Sequence, residues 1–97
     1  MALCAAFPLV NTTKDQVRMY STTWCSDCRR AKQFLRARGV EFEEINIDES
    51  PDAEDLVLQV NEGRRKVPTF DLNGEFFACS PFDPHLLSEK FNVPLNP

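Results

Sequence analysis

The sequence is poor in the residues that build metal sites and disulfide scaffolds. It has one histidine and four cysteines among 97 residues. Four cysteines are too few for a scaffold stapled by disulfides. A four-ligand zinc site needs a second close pair or a Cys/His partner, whereas Cys4, Cys79 and His85 stand isolated in the sequence. Zinc binding and a purely structural disulfide are therefore minor alternatives for the remaining pair, Cys25 and Cys28.

The sequence also lacks an excess of positive charge and a long apolar run. Its formal net charge is −4, with 27% charged residues of both signs. This composition favours solubility, and it lacks the excess of basic residues that nucleic-acid binding requires. Residues 1–10 are apolar, but they contain a proline, carry no basic n-region and are too short to cross a bilayer. We therefore expect no nucleic-acid partner, no signal peptide and no membrane anchor, and a cytoplasmic location.

Length and composition predict one small domain. A chain of 97 residues with 42% apolar content, including eight phenylalanines, can form a single core without staples. We assign residues 1–15 to an N-terminal extension, 16–93 to the domain and 94–97 to a C-terminal tail, and we expect a monomer. Cys4 in the extension is interpreted as an incidental small apolar residue, with a peripheral thiol or a modification site as alternatives.

The most informative motif is Trp-Cys-Ser-Asp-Cys at residues 24–28, which follows the apolar run Val17–Tyr20. A cysteine placed where a strand gives way to a helix lies among unpaired N–H groups at the positive end of the macrodipole, and both favour a thiolate. The second sulfur, one helical turn later, lies within reach of the first. Such a pair can attack a disulfide, form a mixed disulfide and resolve it by closing its own ring. Redox chemistry is therefore the leading interpretation.

Four strands and three helices are predicted from apolar periodicity and from start and stop residues. The predicted strands are Val17–Ser21, Val40–Ile47, Thr69–Leu72 and Glu75–Ala78, and the predicted helices are Cys25–Arg38, Ser50 to about Asn61, and a final helix after Asp83. In the second strand, a shift of register near Glu43-Glu44 is one interpretation of the alternation. The order β-α-β-α-β-β-α predicts an α/β fold with a crossover helix between parallel strands.

Turn and cap residues support these boundaries. Asn73-Gly74 is the strongest short signal for a two-residue type I′ hairpin. Ser50-Pro51 offers an N-cap followed by proline at the first helical position. Asp83 is preferred to Ser80 as the cap of the last helix, because a cap at Ser80 would place Pro84 where a backbone N–H is needed.

Four segments resemble the glutaredoxin family. They are Met19–Cys25, Cys28–Arg30, the Val-Asn-x-Gly stretch at 60–63, and Val67–Thr69. Within the family the chain is most similar to the mycoredoxin-like dithiol glutaredoxins, which share the tryptophan before the first cysteine and a V-N-x-G-x-R-x-V-P-T stretch. The similarity covers about residues 16–93. It implies a thioredoxin-like fold with a four-stranded mixed sheet and a cis proline, Pro68, facing the active cysteines.

The resemblance implies a thiol–disulfide oxidoreductase, in which Cys25 is the nucleophile and Cys28 the resolving thiol. Protein disulfides and mixed disulfides are the expected substrates, carried by oxidised or thiolated client proteins. No bound cofactor is expected; a low-molecular-weight thiol, mycothiol or glutathione, or a disulfide reductase would recycle the protein. One alternative is a thioredoxin-like reductant served directly by a reductase. Another is an iron–sulfur carrier that uses Cys25 from two subunits, although cluster-binding glutaredoxins typically carry a monothiol C-G-F-S motif.

Six further positions are predicted to contact substrate. They are Thr23, Trp24, Arg65, Val67, Pro68 and Asp83. A cis bond before Pro68 would let Val67 pair its N–H and C=O with an extended thiol peptide, and a strand-initiating proline is the alternative. Arg65 matches the family arginine best and is a candidate contact for the carboxylate of a small thiol; a solvated surface charge is the alternative. Trp24 is expected to pack as a lid beside the sulfur, or to be purely structural.

Two departures from the family pattern weaken the case for glutathione itself. Many glutathione-using glutaredoxins carry a lysine where Thr22 stands, and a Gly-Gly pair where Ala78-Cys79 stands. Asp83 is either a contact for a charged ligand group or a plain helix cap, and both interpretations remain open. Cys79 is interpreted as a small apolar residue at a strand end, with a second resolving thiol as the alternative.

Overall fold

A four-stranded mixed sheet organises residues 16–96, the part of the chain that the computed structural model describes. The predicted extension, with Cys4, and the last residue of the predicted tail lie outside the described residues. The strands are β1 (Val17–Ser21), β2 (Glu43–Asn46), β3 (Thr69–Leu72) and β4 (Glu75–Ala78). Their order in the sheet is β2-β1-β3-β4; β2 runs parallel to β1, and the other pairs are antiparallel. The predicted order of elements and the mixed sheet are confirmed.

The three predicted helices are present, and the second and third begin at the predicted caps, Ser50 and Asp83. They are α1 (Ser26–Ala37), α2 (Pro51–Val60) and α3 (Pro84–Phe91), and a short 3-10 helix spans Ile47–Glu49. The Ser50 hydroxyl accepts the backbone N–H of Ala53 at 3.3 Å, and the Asp83 carboxylate accepts that of His85 at 3.0 Å. Within residues 16–96, none of the helices has the length and apolar character needed to cross a bilayer.

The second strand is shorter than predicted at both ends. The N–H of Val40 is bonded to the carbonyl of Leu35 at 3.0 Å, so this residue closes the end of α1 instead of entering the sheet. At the other end, the Asn46 side chain accepts the N–H of Asp48 at 2.9 Å and caps the 3-10 helix, which takes up Ile47. Local capping at each boundary therefore outcompetes the apolar alternation.

The pairing of β1 with β2 is continuous, so the register does not shift near Glu43-Glu44. The alternation changes there because β2 is an edge strand in which Glu43 and Glu44 are both exposed. Helices cover both faces of the sheet. On one face, α1 and α3 pack against the sheet through the buried residues Val17, Met19, Ala31, Phe34, Leu35, Phe70, Leu87 and Phe91. On the other face, α2 and the 3-10 helix contribute Ile47, Ala53 and Val57, which pack with Tyr20. The turn from β1 to α1 is thereby held at the carboxyl end of a buried strand.

The predicted hairpin joins β3 to β4. Asn73 and Gly74 have positive φ angles of 53° and 95°, as both central residues of a type I′ turn require. The Asp71 carboxylate accepts the N–H of Gly74 at 2.8 Å and fastens the turn. The hairpin returns the chain along β3, so that the residue after β4, Cys79, donates its N–H to the carbonyl of Pro68 at 2.9 Å.

Candidate active site

Cys25 lies at the N-terminus of α1, as the sequence predicts, and is the N-cap of the helix. Its backbone is extended, with φ −100° and ψ 111°, and its Sγ accepts the backbone N–H of Cys28 at 3.0 Å. A sulfur in this position satisfies one of the N–H groups that a helix start leaves unpaired, and it lies at the positive end of the macrodipole. Both features stabilise negative charge on the sulfur, which is the form that attacks disulfides.

Cys28 lies in the first turn of α1 in a different environment. Its side chain is 1% exposed, whereas that of Cys25 is half-buried. Burial raises the pKa of the Cys28 thiol far above its ordinary value, and a hydrogen bond with the Cys25 side chain acts in the same direction. Both cysteines are free thiols. The pair thus combines an accessible sulfur with a protected one that stays protonated.

The Val67-Pro68 segment lies against Cys25. The bond between these two residues is cis, as the family resemblance implies, and Pro68 is fully buried. The Cys25 thiol lies 3.7 Å from the carbonyl oxygen of Val67, to which it donates a weak hydrogen bond. The structure therefore brings together four of the predicted positions, namely both cysteines and this dipeptide, although they lie about forty residues apart in the chain.

An open groove of about 390 Å³ borders Cys25, and neither Val67 nor Pro68 is among its lining residues. Its lining is rich in hydroxyl, amide and charged groups and comprises Ser21, Thr22, Thr23, Cys25, Arg29, Lys32, Glu44, Asn46 and Glu49. Thr23, a predicted contact, accepts a hydrogen bond from the Asn46 amide at 3.2 Å. Two basic and two acidic side chains balance the charge of the lining.

Glu44 is a groove residue that the sequence did not reveal. Its carboxylate accepts hydrogen bonds from the Ser21 hydroxyl at 2.7 Å and from the Lys32 ammonium at 3.0 Å. Partial burial opposes ionisation, but these two donors prevail and lower the pKa of Glu44. The parallel pairing of β1 with β2 creates this cluster, and no local motif signals it.

A comparison with known families decides the assignment. The glutaredoxin family model matches residues 17–77, which include the cysteine pair, the Val67-Pro68 segment and most of the hairpin. The chain belongs to the glutaredoxin family. Mycoredoxin 1 of Corynebacterium glutamicum is 32% identical over 73 residues, which cover 75% of this chain and 90% of that protein. The predicted similarity to mycoredoxin-like glutaredoxins is confirmed.

Other relatives support the same family, and their matches cover different shares of the chain. A protein of Mycobacterium tuberculosis named as a glutaredoxin is 39% identical over 51 residues, and the match spans 53% of this chain and 61% of that protein. The glutaredoxin-like protein NrdH of Lactococcus lactis is 34% identical over 73 residues, 75% of this chain and 96% of that protein. The fold is that of a solved thioredoxin-like protein, with TM-score 0.71 and 24% identity over 81% of this chain and 97% of the other. The predicted thioredoxin-like fold is confirmed.

Trp24 is exposed in this glutaredoxin, whereas the sequence analysis expects it to pack beside the Cys25 sulfur. It stands in the turn between β1 and α1 with 89% of its surface exposed, so it neither packs over the Cys25 sulfur nor contributes to the core. The predicted packing role is wrong for this structure, because the turn leaves the indole without neighbours to cover it. The side chain is instead a large apolar surface directly beside Cys25.

Arg65 is engaged by two carboxylates of the glutaredoxin itself. Its guanidinium donates to Glu54 of α2 at 2.8 Å and also pairs with Asp48 of the 3-10 helix. These hydrogen bonds raise the pKa of Arg65, whose side chain remains 42% exposed. It is not among the residues that line the groove beside Cys25. A ligand carboxylate at Arg65 would therefore compete with two existing partners.

Asp83 and Cys79 form a closed unit at the start of α3. The Asp83 carboxylate caps the helix, and its backbone N–H donates to the Cys79 sulfur at 3.2 Å. The Cys79 thiol donates to the carbonyl of the same aspartate at 3.6 Å. Burial raises the pKa of Cys79, which is 1% exposed and packs in the core shared by α1 and α3. The bond between Ser80 and Pro81 is also cis, which the sequence did not reveal.

Proposed function

We propose that the chain is a dithiol oxidoreductase that reduces protein disulfides and mixed disulfides between proteins and a low-molecular-weight thiol. The observation that carries this proposal is the contrast within the cysteine pair. Cys25 is accessible, caps α1 and accepts an N–H at 3.0 Å, whereas Cys28 is buried one turn later. This contrast supports attack on a substrate by the first sulfur and a later reaction of the second sulfur with the mixed disulfide.

The first step is thiol–disulfide exchange at Cys25. Its thiolate attacks the small-thiol sulfur of a protein mixed disulfide, and a new S–S bond forms between Cys25 and the small thiol. The bond to the client protein breaks, and the client sulfur leaves as a thiolate that takes a proton from solvent. The client is thereby reduced, and the small thiol remains attached to Cys25.

Two routes return the enzyme to its reduced state. In the first, a second small thiol attacks the adduct as a thiolate, which forms a small-molecule disulfide and releases the Cys25 thiolate. In the second, Cys28 loses its proton and attacks Cys25, which expels the small thiol and closes an intramolecular disulfide. An external reductase must then supply two electrons to that disulfide.

Residues on two sides of Cys25 are proposed to hold the substrates. On one side, the backbone of Val67 and Pro68 would pair with an extended segment of the client. On the other side, the polar groove at Thr23 would accept the small thiol. Trp24, which is exposed and precedes Cys25 in the chain, would offer apolar contact to a client. Arg65 and Asp83 remain proposed contacts that would act only if a ligand displaced their present partners.

The groove favours mycothiol over glutathione as the small thiol. Its lining has balanced charge and many hydroxyl and amide groups, which suit the hydroxylated polar part of mycothiol. Glutathione has two carboxylates, and the lysine that many glutathione-using relatives carry is replaced by Thr22. The proposed setting is the reducing cytoplasm, where the chain would act as a monomer on oxidised or thiolated client proteins.

A thioredoxin-like reductant is the second candidate. A solved NrdH-redoxin of Escherichia coli, described as having a thioredoxin-like activity profile, shares this fold with TM-score 0.57 and 25% identity over 65% of this chain and 80% of the other. In that role, a reductase would reduce the Cys25–Cys28 disulfide directly and no small thiol would take part.

One assay separates the two candidates. The protein is supplied in turn with mycothiol and its reductase, with glutathione and its reductase, and with thioredoxin reductase alone. A client carrying a mixed disulfide and a client carrying an internal disulfide serve as substrates. We expect the mycothiol system to support the highest kcat/KM on the mixed disulfide. Efficient turnover with thioredoxin reductase alone, together with none in either small-thiol system, would establish the second candidate instead.

A further inference from the structure

A hydrogen-bonded chain connects the end of α2 to the segment that faces Cys25. Asn61 is the C-cap of α2, and its side-chain amide donates to the carbonyl of Val57 at 2.9 Å and to the Thr69 hydroxyl at 3.0 Å. Beyond Asn61, Glu62 and Gly63 have positive φ angles of 58° and 85°, which turn the chain back toward the sheet. The same amide thus holds both the helix end and the first residue of β3.

Thr69 closes the other end of this turn. Its side chain is 1% exposed, and its hydroxyl donates to the carbonyl of Lys66 at 2.7 Å while accepting from Asn61. A buried hydroxyl that both donates and accepts has its position fixed by two partners. Lys66 is the residue before Val67, whose own carbonyl lies 3.7 Å from the Cys25 sulfur.

We propose that Asn61 and Thr69 are positioning residues that hold the Val67 carbonyl against the sulfur of Cys25. Neither side chain touches the sulfur. They fix the backbone on both sides of the Val67-Pro68 bond. The position of this backbone sets the distance between the Val67 carbonyl oxygen and the Cys25 sulfur. The inference rests on the proposed function only in taking Cys25 as the attacking thiol.

The carbonyl has a definite effect on Cys25. An acceptor oxygen stabilises the protonated thiol, which can donate to it, and repels the thiolate, which cannot. The N–H of Cys28 acts in the opposite sense, because it donates to the sulfur. The Val67 carbonyl therefore opposes the helix terminus, which stabilises the thiolate that attacks a disulfide.

The variants distinguish positioning from a purely structural role. Thr69→Val keeps the shape of the side chain and removes both hydrogen bonds of the hydroxyl, whereas Thr69→Ser keeps a hydroxyl and should restore them. Asn61→Ala removes the link from α2 and provides a second test if Thr69→Val does not fold. Ser88→Ala is the matched control, because its hydroxyl donates to the carbonyl of Val93 at 2.6 Å at the end of α3.

Two measurements on the full chain test the proposal. The first is the rate at which iodoacetamide alkylates Cys25 at about pH 7, followed by mass spectrometry, which needs no client or small thiol. The second is the midpoint potential of the Cys25–Cys28 couple in a dithiothreitol redox buffer. When the carbonyl is released, we expect alkylation to accelerate about threefold in Thr69→Val and Asn61→Ala. In the thiolate form, release of the carbonyl removes a repulsion and stabilises the reduced protein by up to the same factor, so the potential measured at alkaline pH should be up to about 14 mV less negative.

Thr69→Ser should return both values to those of the wild type, and Ser88→Ala should leave both unchanged even if it loses stability. Unchanged alkylation and potential in folded Thr69→Val and Asn61→Ala would overturn the proposal. An equal change in Ser88→Ala would also overturn it, because general loosening would then explain the effect. If the wild type shows no turnover, the proposed function fails, but the alkylation rates still decide the positioning role.

Discussion

The backbone N–H of Cys28 donates to the sulfur of Cys25 at 3.0 Å. Cys28 therefore stabilises negative charge on the Cys25 sulfur through its main chain, and it is proposed to react with that sulfur later through its side chain. This arrangement follows from the spacing of the pair, since a helix cap accepts from the residue two or three positions later. The same spacing places the second thiol in the first turn, where the core covers it. One local geometry thus gives the two sulfurs different roles.

The first prediction is selective alkylation. At about pH 7, iodoacetamide should modify Cys25 well before Cys28 or Cys79, because burial protects the latter two and raises their pKa values. Tandem mass spectrometry of the folded, reduced protein assigns the label to each of these three cysteines, and urea-unfolded protein, in which all three should react, is the control. Labelling of Cys28 as fast as that of Cys25 in the folded protein would contradict the assignment.

The second prediction separates the two routes of recycling. Cys28→Ser should retain removal of a small thiol from a mixed disulfide and lose reduction of stable protein disulfides, because only the second reaction requires a resolving thiol. Cys25→Ser should lose both activities, which makes it the control for background exchange. Loss of both activities in Cys28→Ser would instead support the thioredoxin-like cycle.

Sequence signals that act over a few residues gave correct predictions. The position of Cys25 at the helix start, the Asp83 cap and the Asn73-Gly74 turn each depend on backbone groups within three or four positions, and each is present. The end of β2 was misjudged because two local signals compete there: the apolar alternation extends the strand, whereas the Asn46 side chain starts a 3-10 helix. Pattern alone does not rank such signals.

The parts of the site that depend on tertiary pairing escaped prediction. Glu44 meets Ser21 and Lys32 only because β1 and β2 lie side by side, 23 positions apart in the sequence. Arg65 appeared free in the sequence as part of a basic cluster, yet two acidic residues from other elements hold it. The family resemblance supplied the cis bond before Pro68, which no local propensity would have established.

The third prediction concerns Cys79. In air-oxidised protein, mass spectrometry should find a disulfide between Cys25 and Cys28 and an unpaired Cys79 that is alkylated only after unfolding, because its sulfur is buried and bonded to Asp83. Cys79→Ala should keep full activity and lose about 1 kcal/mol of stability, measured by urea unfolding. A Cys25–Cys79 bridge or an intermolecular Cys79 bridge would make Cys79 part of the redox site.

The fourth prediction is a loss of stability of the reduced protein at alkaline pH. Cys28 and Cys79 have raised pKa values in the folded state, so the unfolded chain releases these protons first as the pH rises past the ordinary thiol value. The stabilisation is complete below about pH 8 and declines above it, because the unfolded state then binds fewer protons. Urea unfolding at about pH 7 and about pH 9.5 should show a loss on the order of 1 kcal/mol for each thiol.

The control for this fourth prediction removes the thiols. A Cys28→Ala, Cys79→Ala double variant should have a smaller alkaline decline than the wild type, because tyrosine and lysine titration is common to both proteins. Equal declines would show that neither thiol is linked to folding in this pH range.

The last prediction tests whether Arg65 binds a ligand or only ties the loop to α2. In the structure its guanidinium is bonded to Glu54 and Asp48, and these exposed pairs should contribute less than about 1 kcal/mol to stability. Glu54→Gln weakens the ion pair but keeps the cation, whereas Arg65→Ala removes both.

If Arg65 contacts the small thiol, Arg65→Ala should raise the KM for that thiol about threefold or more with kcat unchanged. Glu54→Gln should lower the KM or leave it unchanged, because it frees the guanidinium. Steady-state kinetics with varied small thiol measure both effects. Equal KM values in all three proteins, with matching small losses of stability in the two variants, would limit Arg65 to its role in the loop.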